Sequence, residues 1–196
     1  LQGAMASAER IFNLMALTPD DYREEKHKNI KLQGEIEFQN VWLAYNEEDW
    51  ILKDISFKVA PGEKIALVGH TGSGKTSIVN LILGMYPYQK GRILLDGKDI
   101  HSYSIADLRR NVGIVQQDVF LFSGNIKDNI ALNKKDLADE EIIRMAKYVN
   151  ADKFIQKLPQ GYDEQVMERG ATLSTGQRQL IAFARVLAYN PSIFIL

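Results

Sequence analysis

The sequence GHTGSGKTS, at residues 69–77, decides the fold of this chain. It fits the pattern G-x-x-x-x-G-K-[ST], and it stands between two apolar segments, KIALV at 64–68 and SIVNLILGMY at 77–86. We predict a buried strand for the first segment and a helix for the second. Glycines let successive backbone N–H groups of such a loop point inward, and the helix adds the positive end of its dipole. The sequence therefore predicts a loop that holds phosphate groups.

Two side chains at the end of this loop predict that the phosphates belong to a nucleotide. The Lys75 ammonium can reach the β- and γ-phosphates, and the Thr76 hydroxyl can bind Mg²⁺. His70 lies at a variable position of the pattern, where a solvated side chain is expected. A glycine-rich turn that matched by chance would not also have the strand, the helix, the lysine and the threonine in place. The predicted nucleotide-binding residues of the loop are Gly69, His70, Thr71, Gly72, Ser73, Gly74, Lys75, Thr76 and Ser77.

The composition argues against several other classes of site. The formal net charge is -1, whereas nucleic-acid-binding domains are usually clearly basic, so we expect no nucleic-acid partner. The chain has no cysteine, which excludes disulfides, thiolate zinc sites and cysteine nucleophiles, and its 3 histidines are scattered. No segment approaches the roughly 18 consecutive apolar residues that a membrane-spanning helix needs.

Short strands are predicted after residue 34, and helices after about residue 123. EIEFQNVWLAY and DISFKVA alternate between apolar and polar residues, while DEEIIRMAKYVN, ADKFIQKL and TGQRQLIAFARVLAYN have helical spacing. Ser104 and Asp107 form a predicted capping box at the start of a short helix. SIFIL, at 192–196, is an apolar run typical of a buried strand. This order of elements predicts an α/β domain with a helical insertion.

The longest of these helices carries a family resemblance. ATLSTGQRQLIAFARVLAYNP, at 171–191, resembles the LSGGQ signature of ATP-binding cassette (ABC) proteins. Four further stretches agree in order with the exporter branch of that family: ASAERIFNLM, VWLAYNEEDWILKDISFKV, VGIVQQDVFLFSGNIKDNI and KLPQGYDEQVMERG. The resemblance implies a P-loop NTPase with an ABC-type antiparallel β subdomain, a RecA-like core and a helical signature subdomain. It also implies that residues 1–33 link a preceding transmembrane domain to an ATP-binding domain at 34–196, incomplete at its C-terminal end.

The resemblance also implies roles toward ATP and Mg²⁺ for residues outside the loop. Tyr45 looks like the aromatic residue that stacks on adenine, an interaction that tolerates base identity. Gln117 looks like the glutamine that contacts Mg²⁺ and the attacking water, with Gln116 beside it as the rival. Lys75 and Gln117 are then the catalytic candidates, and Thr76 and Gln117 the candidate Mg²⁺ ligands. The alternatives are a core tyrosine at a strand end and a buried strand glutamine.

Two partners are implied as well, a second cassette and the transmembrane domain. The signature residues are expected to cap the γ-phosphate held by the second cassette; they are Ser174, Thr175, Gly176 and Gln177. Thr175 stands where the family usually has glycine, and its β-branched side chain predicts a weaker cap. Alternatively, this stretch is only a helix N-cap. The apolar DVFLF is expected to receive a coupling helix of the membrane domain, or to be core. The segment expected to contact that domain, or to be a surface charge pair, is Glu168, Arg169 and Gly170.

We expect the intact protein to be an ATPase that couples ATP binding and hydrolysis to export, at the cytoplasmic face of the cell inner membrane. SIFIL resembles the apolar half of the Walker B strand, so the catalytic glutamate and the switch histidine are expected beyond Leu196. Residues 1–196 alone are therefore expected to hydrolyse little ATP. One alternative is the degenerate half of a heterodimeric exporter, which binds ATP but turns it over poorly. Another is a non-transport ABC ATPase, but the zinc cysteines, coiled-coil insertions or basic linkers of such proteins are not visible here.

Overall fold

Helices and strands follow one another along the chain in the computed structural model, which describes residues 2–16, 30–46, 49–132, 134, 137–167, 170 and 172–196. The helices are α1 (Gln2–Ala16), α2 (Lys75–Ile82), α3 (Ile105–Asn111), α4 (Ile126–Ala131), α5 (Asp139–Tyr148), α6 (Asp152–Ile155) and α7 (Thr175–Ala188). The strands are β1 (Ile36–Ala44), β2 (Trp50–Val59), β3 (Lys90–Leu95), β4 (Lys98–Asp99), β5 (Val112–Ile114), β6 (Gly124–Asn125), β7 (Gln165–Val166) and β8 (Ile193–Ile195). Short 3-10 helices lie at Ile100–Ser102 and Gly161–Asp163. Glu168, Arg169 and residues 17–29 of the predicted linker lie outside the described residues.

Four strands form an antiparallel sheet in the order β2-β1-β3-β4. β1 is paired along both of its edges, so that Phe38 lies opposite Phe57 of β2 and Ile93 of β3. Alternate side chains at the start of β1 are buried, as the apolar alternation of the sequence predicts. The rings of Phe38 and Phe57 stack with their centroids 4.5 Å apart. The predicted antiparallel β subdomain is therefore confirmed.

The described residues form two apolar cores. The first lies between the sheet, α2 and α3, and its buried residues include Phe38, Leu81, Ile93 and Leu108. The second lies among α4, α5 and α7, and its buried residues include Ile130, Ile142 and Ile181. β8 follows α7, pairs in parallel with β5 and places Ile193 in the first core. Helix α7 therefore leads from the helical subdomain, which the sequence predicts, back to the rest of the domain.

The segment KIALV, at 64–68, does not form the strand that the sequence predicts. No strand of the described residues pairs with it, and Val68 is 92% exposed. A strand needs a neighbour because its N–H and C=O groups require partners when they are buried. The prediction is wrong for this structure, in which the segment is neither paired nor buried, since Ile65 and Leu67 are exposed as well. An apolar run indicates a tendency to be buried, but it does not report whether a neighbouring strand is present to pair with it. Helix α2, by contrast, forms as predicted, although it begins at Lys75 and ends at Ile82.

The predicted helix starts are confirmed where a polar side chain caps them. Ser104 is the N-cap of α3, and its hydroxyl accepts a hydrogen bond from the backbone N–H of Asp107 at 3.0 Å. The residues predicted as amphipathic helices form α5 and α7. Among the described residues, no helix has both the length and the apolar character needed to cross a bilayer.

A buried asparagine fastens the segment at 30–32 to α3. The Asn111 side chain accepts a hydrogen bond from the N–H of Leu32 at 2.9 Å, and it donates to the carbonyls of Ile30 at 2.7 Å and Asp107 at 2.9 Å. All of its amide atoms are therefore used by backbone groups. Segment 30–32 has no regular secondary structure, so these bonds replace the partners that a strand would have.

We expect Asn111→Leu to lower the free energy of unfolding by about 1–3 kcal/mol, because the substitution leaves buried backbone groups without partners. Denaturant titration of the protein measures the change. Asn13→Leu, at an exposed position of α1, is the control and is expected to stay within about 0.5 kcal/mol of the parent. Equal effects of the two substitutions would contradict the anchoring role of Asn111.

Candidate functional site

The loop at 69–77 is shaped by a glycine at the start of α2. Gly74 is the N-cap residue of the helix and has a φ of 88°, in the left-handed region that other residues rarely adopt. A Cβ atom at this position would lie 2.5 Å from Cδ2 of Leu52, a buried residue of β2. The second glycine of the pattern thus allows both the turn and the close approach of the loop to the sheet.

The Lys75 ammonium lies against the loop that precedes it. Its Nζ donates hydrogen bonds to the carbonyl oxygens of Gly69 at 2.8 Å and His70 at 2.9 Å, and it is 3.5 Å from Oγ of Ser73. No side chain caps the N-terminus of α2. The first N–H groups of the helix have no intrahelical acceptor. The lysine and these N–H groups therefore form a concentration of donors suited to an anion.

The other side chains of the loop are mostly exposed. His70 is exposed, as predicted, and its Nδ1 donates a hydrogen bond to the carbonyl oxygen of Thr71 at 2.8 Å. Thr76 is exposed at the first turn of α2, while Ser77 is buried. Mg²⁺ typically takes one or two protein oxygens together with phosphate oxygens and water. The Thr76 hydroxyl, next to the candidate phosphate site, fits that requirement. Among the described residues, no group of three or more histidines and carboxylates could hold a metal by itself.

Tyr45 lies beside this loop, just after β1. Its hydroxyl donates a hydrogen bond to Oγ of Ser77 at 3.0 Å, which connects the tyrosine to α2. Its ring is 45% exposed and packs edge-on against Tyr86, with the centroids 4.9 Å apart. A pocket of about 400 Å³ opens here, and its lining residues are Leu43, Ala44, Tyr45, Tyr86, Pro87 and Gln89. The structure therefore brings an exposed aromatic surface next to the predicted phosphate loop.

The two candidate glutamines do not contact the loop. Gln116 and Gln117 follow β5 and are both exposed, so the alternative of a buried strand glutamine is wrong. Within the described residues, neither side chain hydrogen bonds to residues 69–77. The role of Gln117 toward Mg²⁺ therefore stays a prediction.

The stretch LSTGQ begins helix α7. Ser174 is the N-cap, and its hydroxyl accepts a hydrogen bond from the N–H of Gln177 at 3.2 Å, while Oε1 of Gln177 accepts one from the N–H of Ser174 at 2.8 Å. Ser174 is thus an N-cap, and whether the stretch also caps a phosphate of a second cassette stays a prediction. Thr175 lies inside the helix, so its β-branched side chain does not strain the backbone. Nothing lies within 4 Å of a Cβ added at Gly176, which leaves open space in front of this helix end.

Arg178 joins the signature to the segment before it. Its guanidinium donates hydrogen bonds to the carbonyl oxygen of Leu173 at 2.8 Å and to Oγ1 of Thr175 at 3.1 Å. It also lies 3.5 Å from the carbonyl oxygen of Gly170, a buried residue with a φ of 69°. Thr175 therefore has a hydrogen-bonding role that the glycine usual at this position would lack.

The segment DVFLF divides between core and surface. Leu121 is buried in the helical subdomain, whereas Phe120 and Phe122 are 49% and 52% exposed. The two exposed rings pack edge-on with their centroids 5.0 Å apart. They form an aromatic surface pair on a segment that has no regular secondary structure.

Two residues that the sequence analysis missed hold this aromatic pair. The Asn129 side chain accepts from the N–H of Phe122 at 2.8 Å and donates to the carbonyl oxygen of Phe122 at 2.8 Å. Arg185 of α7 donates to the carbonyl oxygens of Asn129 at 2.8 Å and Phe120 at 3.0 Å. Burial lowers the pKa of the Arg185 guanidinium, and neighbouring Tyr189 partly opposes that change. An arginine among the apolar residues of α7 is the signal that could have indicated this role.

Comparison with known proteins gives consistent similarities. Residues 52–196 match the family described as ABC transporter. The chain is 49% identical over its full length to exp8 of Streptococcus pneumoniae, named as an ABC transporter ATP-binding protein, and covers 33% of that protein. It is 43% identical over its full length to an ATP-dependent lipid A-core flippase of Legionella pneumophila, again covering 33%. The chain thus spans about a third of the length of these relatives.

One solved structure extends the similarity to the fold. It is described as a bacterial Atm1-family ABC exporter with ATP bound. The two structures have a TM-score of 0.88 at 37% sequence identity, over 98% of this chain and 34% of the other.

The geometry at Gly74 leads to a prediction about the loop. Gly74→Ala is expected to destabilise the protein by more than Gly72→Ala. Both substitutions impose a left-handed conformation costing roughly 1–2 kcal/mol, but only Gly74→Ala also meets Leu52. Denaturation midpoints of the two variants measure the difference. Adding Leu52→Ala should reduce the extra loss in Gly74→Ala, and equal midpoints for the two alanine variants would contradict the contact.

Proposed function

The chain belongs to the ABC transporter family, and from that membership we propose that it is the ATP-binding domain of an ABC exporter. In the protein of which it forms part, ATP binding and hydrolysis drive transport of a substrate across a membrane. The observation that carries this proposal is the donor-rich loop at 69–77 lying beside the exposed ring of Tyr45. The likeness to an exporter whose title names bound ATP supports it. The cofactors of the proposed reaction are ATP and Mg²⁺.

Each part of ATP has a candidate partner in this arrangement. The purine stacks on Tyr45, and the triphosphate lies in the loop, where Lys75 and the N–H groups at the start of α2 neutralise its charge. Thr76 and Gln117 are the residues proposed to hold Mg²⁺, which would supply positive charge that offsets the charge of the phosphates. Lys75 is the catalytic candidate in the loop, and Gln117 is the candidate that positions the attacking water.

A second cassette is the proposed partner for the start of α7. The exposed helix end presents the N–H groups of Thr175 and Gly176, which have no intrahelical acceptor, whereas the N–H of Ser174 is bonded to Gln177. Such a helix end suits the γ-phosphate of ATP held by the loop of another cassette, with Gln177 securing the cap. The alternative of a degenerate, non-hydrolysing half is not favoured, because the Legionella relative is named as ATP-dependent and Thr175 leaves the helix end unstrained.

The transmembrane domain is the second proposed partner. Residues 1–33 are the proposed linker from that domain, and residues 34–196 are the ATP-binding domain. The aromatic pair Phe120–Phe122 is the proposed docking surface for it, because two apolar rings are exposed on a segment that Asn129 and Arg185 hold in place. Glu168, Arg169 and Gly170 are proposed to extend this contact. The domain would then lie at the cytoplasmic face of the cell inner membrane.

We expect Lys75→Ala in the full-length protein to weaken Mg²⁺–ATP binding at least about tenfold and to abolish most of the ATPase activity and substrate transport. The substitution removes the only side-chain ammonium that contacts the loop among the described residues, and charge-assisted bonds to phosphate contribute about 1.5–3 kcal/mol each. Titration calorimetry and a phosphate-release assay measure the two effects.

Lys64→Ala is the matched control, because Lys64 is exposed and precedes the loop by only a few residues. It should leave binding and turnover close to those of the parent. If Lys75→Ala binds ATP and transports substrate as the parent does, the proposed function is wrong.

Thr175→Gly is expected to let ATP bring the two cassettes together at a lower concentration than in the parent. The change removes a side chain from the helix end that would face the γ-phosphate. That gain must exceed the about 0.3 kcal/mol of helix propensity by which glycine falls below threonine, together with the loss of the hydrogen bond from Arg178 to Oγ1. The distance between labels on the two cassettes, measured against ATP concentration, gives the midpoint. Thr175→Ala keeps the Cβ atom and should shift the midpoint less. An unchanged midpoint in Thr175→Gly would show that the threonine does not obstruct the cap.

A further inference from the structure

We infer that Gln89 is a positioning residue for the nucleotide base, which it serves by fixing the backbone that presents Tyr45. The inference rests on the proposed function, because it takes Tyr45 as the surface on which the base stacks. Gln89 lies between α2 and β3, in a connecting segment to which the sequence analysis assigned no role.

The Gln89 side chain behaves like an additional residue of the sheet. Its Oε1 accepts a hydrogen bond from the N–H of Ala44 at 2.9 Å, and its Nε2 donates one to the carbonyl oxygen of Ala44 at 3.1 Å. The backbone N–H of Gln89 donates to the carbonyl oxygen of Trp42 at 3.0 Å. The pairing of β1 with β3 ends where Trp42 lies opposite Lys90. The amide of Gln89 therefore continues the ladder along β1 as far as Ala44.

Ala44 is the residue immediately before Tyr45, so a constraint on its backbone reaches the tyrosine directly. Ala44 is buried and is the last residue of β1, while Tyr45 lies in a bend. Without Gln89, the N–H and C=O of Ala44 would lose both of these partners at a position where water has little access. Gln89 thus fixes the backbone of the last residue of β1, and through it the position from which the Tyr45 side chain extends.

Tyr45 is held at its other end as well. Its hydroxyl donates to Oγ of Ser77, and its ring packs against Tyr86. The backbone is fixed by Gln89, the ring by Tyr86 and the hydroxyl by α2. A ring held at three points keeps one orientation, which reduces the ordering that binding would otherwise require.

The position of Gln89 in the wall of the pocket raises a second possibility, direct recognition of the base. The hydrogen bonds argue against it, because Oε1 and Nε2 are both directed to Ala44. A glutamine whose amide atoms are both bonded to Ala44 has none left to distinguish one base from another. It can still support stacking on Tyr45, which does not depend on the identity of the base because every base has a flat face. Loss of the Gln89 amide is therefore expected to weaken the binding of adenine nucleotides and of guanine nucleotides by the same factor.

The test uses the full-length protein and compares ligands with and without a base. Binding of the magnesium complexes of AMP-PNP, GMP-PNP and inorganic tripolyphosphate is measured by titration calorimetry. Gln89→Met removes the amide at nearly constant length. We expect it to lower the affinity for both nucleotides by about three- to tenfold, in line with the loss of one or two neutral hydrogen bonds. The affinity for tripolyphosphate should stay unchanged. Gln89→Glu keeps an acceptor for the N–H of Ala44, but it places a carboxylate oxygen against the carbonyl oxygen of Ala44. It should therefore weaken nucleotide binding at least as much as Gln89→Met.

Two further variants serve as controls. Gln39→Met changes a glutamine of β1, the strand that ends at Ala44. The Gln39 side chain donates a hydrogen bond to Glu37 at 2.6 Å, away from the pocket, so this variant should bind all three ligands as the parent does. Tyr45→Ala should weaken both nucleotides by at least about fivefold and spare tripolyphosphate.

The outcomes separate the inference from the function on which it rests. Suppose that Tyr45→Ala weakens the binding of nucleotides but not of tripolyphosphate, while Gln89→Met and Gln89→Glu show no such difference. The inference is then wrong and the proposed function stands. Equal weakening of all three ligands in the Gln89 variants would overturn it as well, since that result indicates a general structural role. Unequal weakening of the two nucleotides would mean that Gln89 recognises the base. If Tyr45→Ala has no selective effect, the assignment of the base site fails first, and the inference fails with it.

Discussion

The close contact between Gly74 and Leu52 is the constraint on which the candidate site depends. Leu52 belongs to the antiparallel sheet and Gly74 starts helix α2, so their contact brings the phosphate loop against the end of the sheet. Only a residue without a Cβ can make this approach in a left-handed conformation. The hydrogen bond from Tyr45 to Ser77 joins the same two parts of the molecule a second time. The aromatic surface and the donor-rich loop are neighbours because the sheet and α2 meet at these two places.

Side-chain amides have a repeated role in this domain. Gln89 pairs with both backbone groups of Ala44, Asn129 pairs with both backbone groups of Phe122, and Asn111 holds the segment at 30–32. An amide has the same donor and acceptor as a peptide group, so it can replace a missing strand neighbour. Each of these amides fixes a segment where regular structure has ended. Two of those segments carry aromatic rings with a proposed binding role, Tyr45 toward the nucleotide base and Phe122 toward the transmembrane domain. The amides therefore hold the backbone in place next to the rings that are proposed to contact a ligand or partner.

The extent to which the sequence predicts this structure follows from the range of the interactions involved. The loop, the caps at Ser104 and Ser174 and the amphipathic helices depend on residues within a few positions of one another, and they form as predicted. The strand at 64–68 depends on a neighbour elsewhere in the chain, which periodicity does not report. Gln89 and Arg185 depend on partners 45 and 56 or more positions away. Their roles therefore became visible only when the fold brought those partners together.

The contacts of Lys75 indicate how the loop keeps its form before a nucleotide binds. Its ammonium occupies the carbonyl oxygens of Gly69 and His70, which places a positive charge inside the turn. A phosphate that enters the loop offers oxygens with a full negative charge, so the ammonium gains an attraction between opposite charges that a neutral carbonyl oxygen does not provide. The lysine can therefore exchange carbonyl partners for phosphate partners with a net gain. The N–H of Ser73, which donates to the carbonyl oxygen of His70 at 3.2 Å, must also change partner before it can contact a phosphate. Binding then requires movement of the lysine side chain together with a local adjustment of the loop.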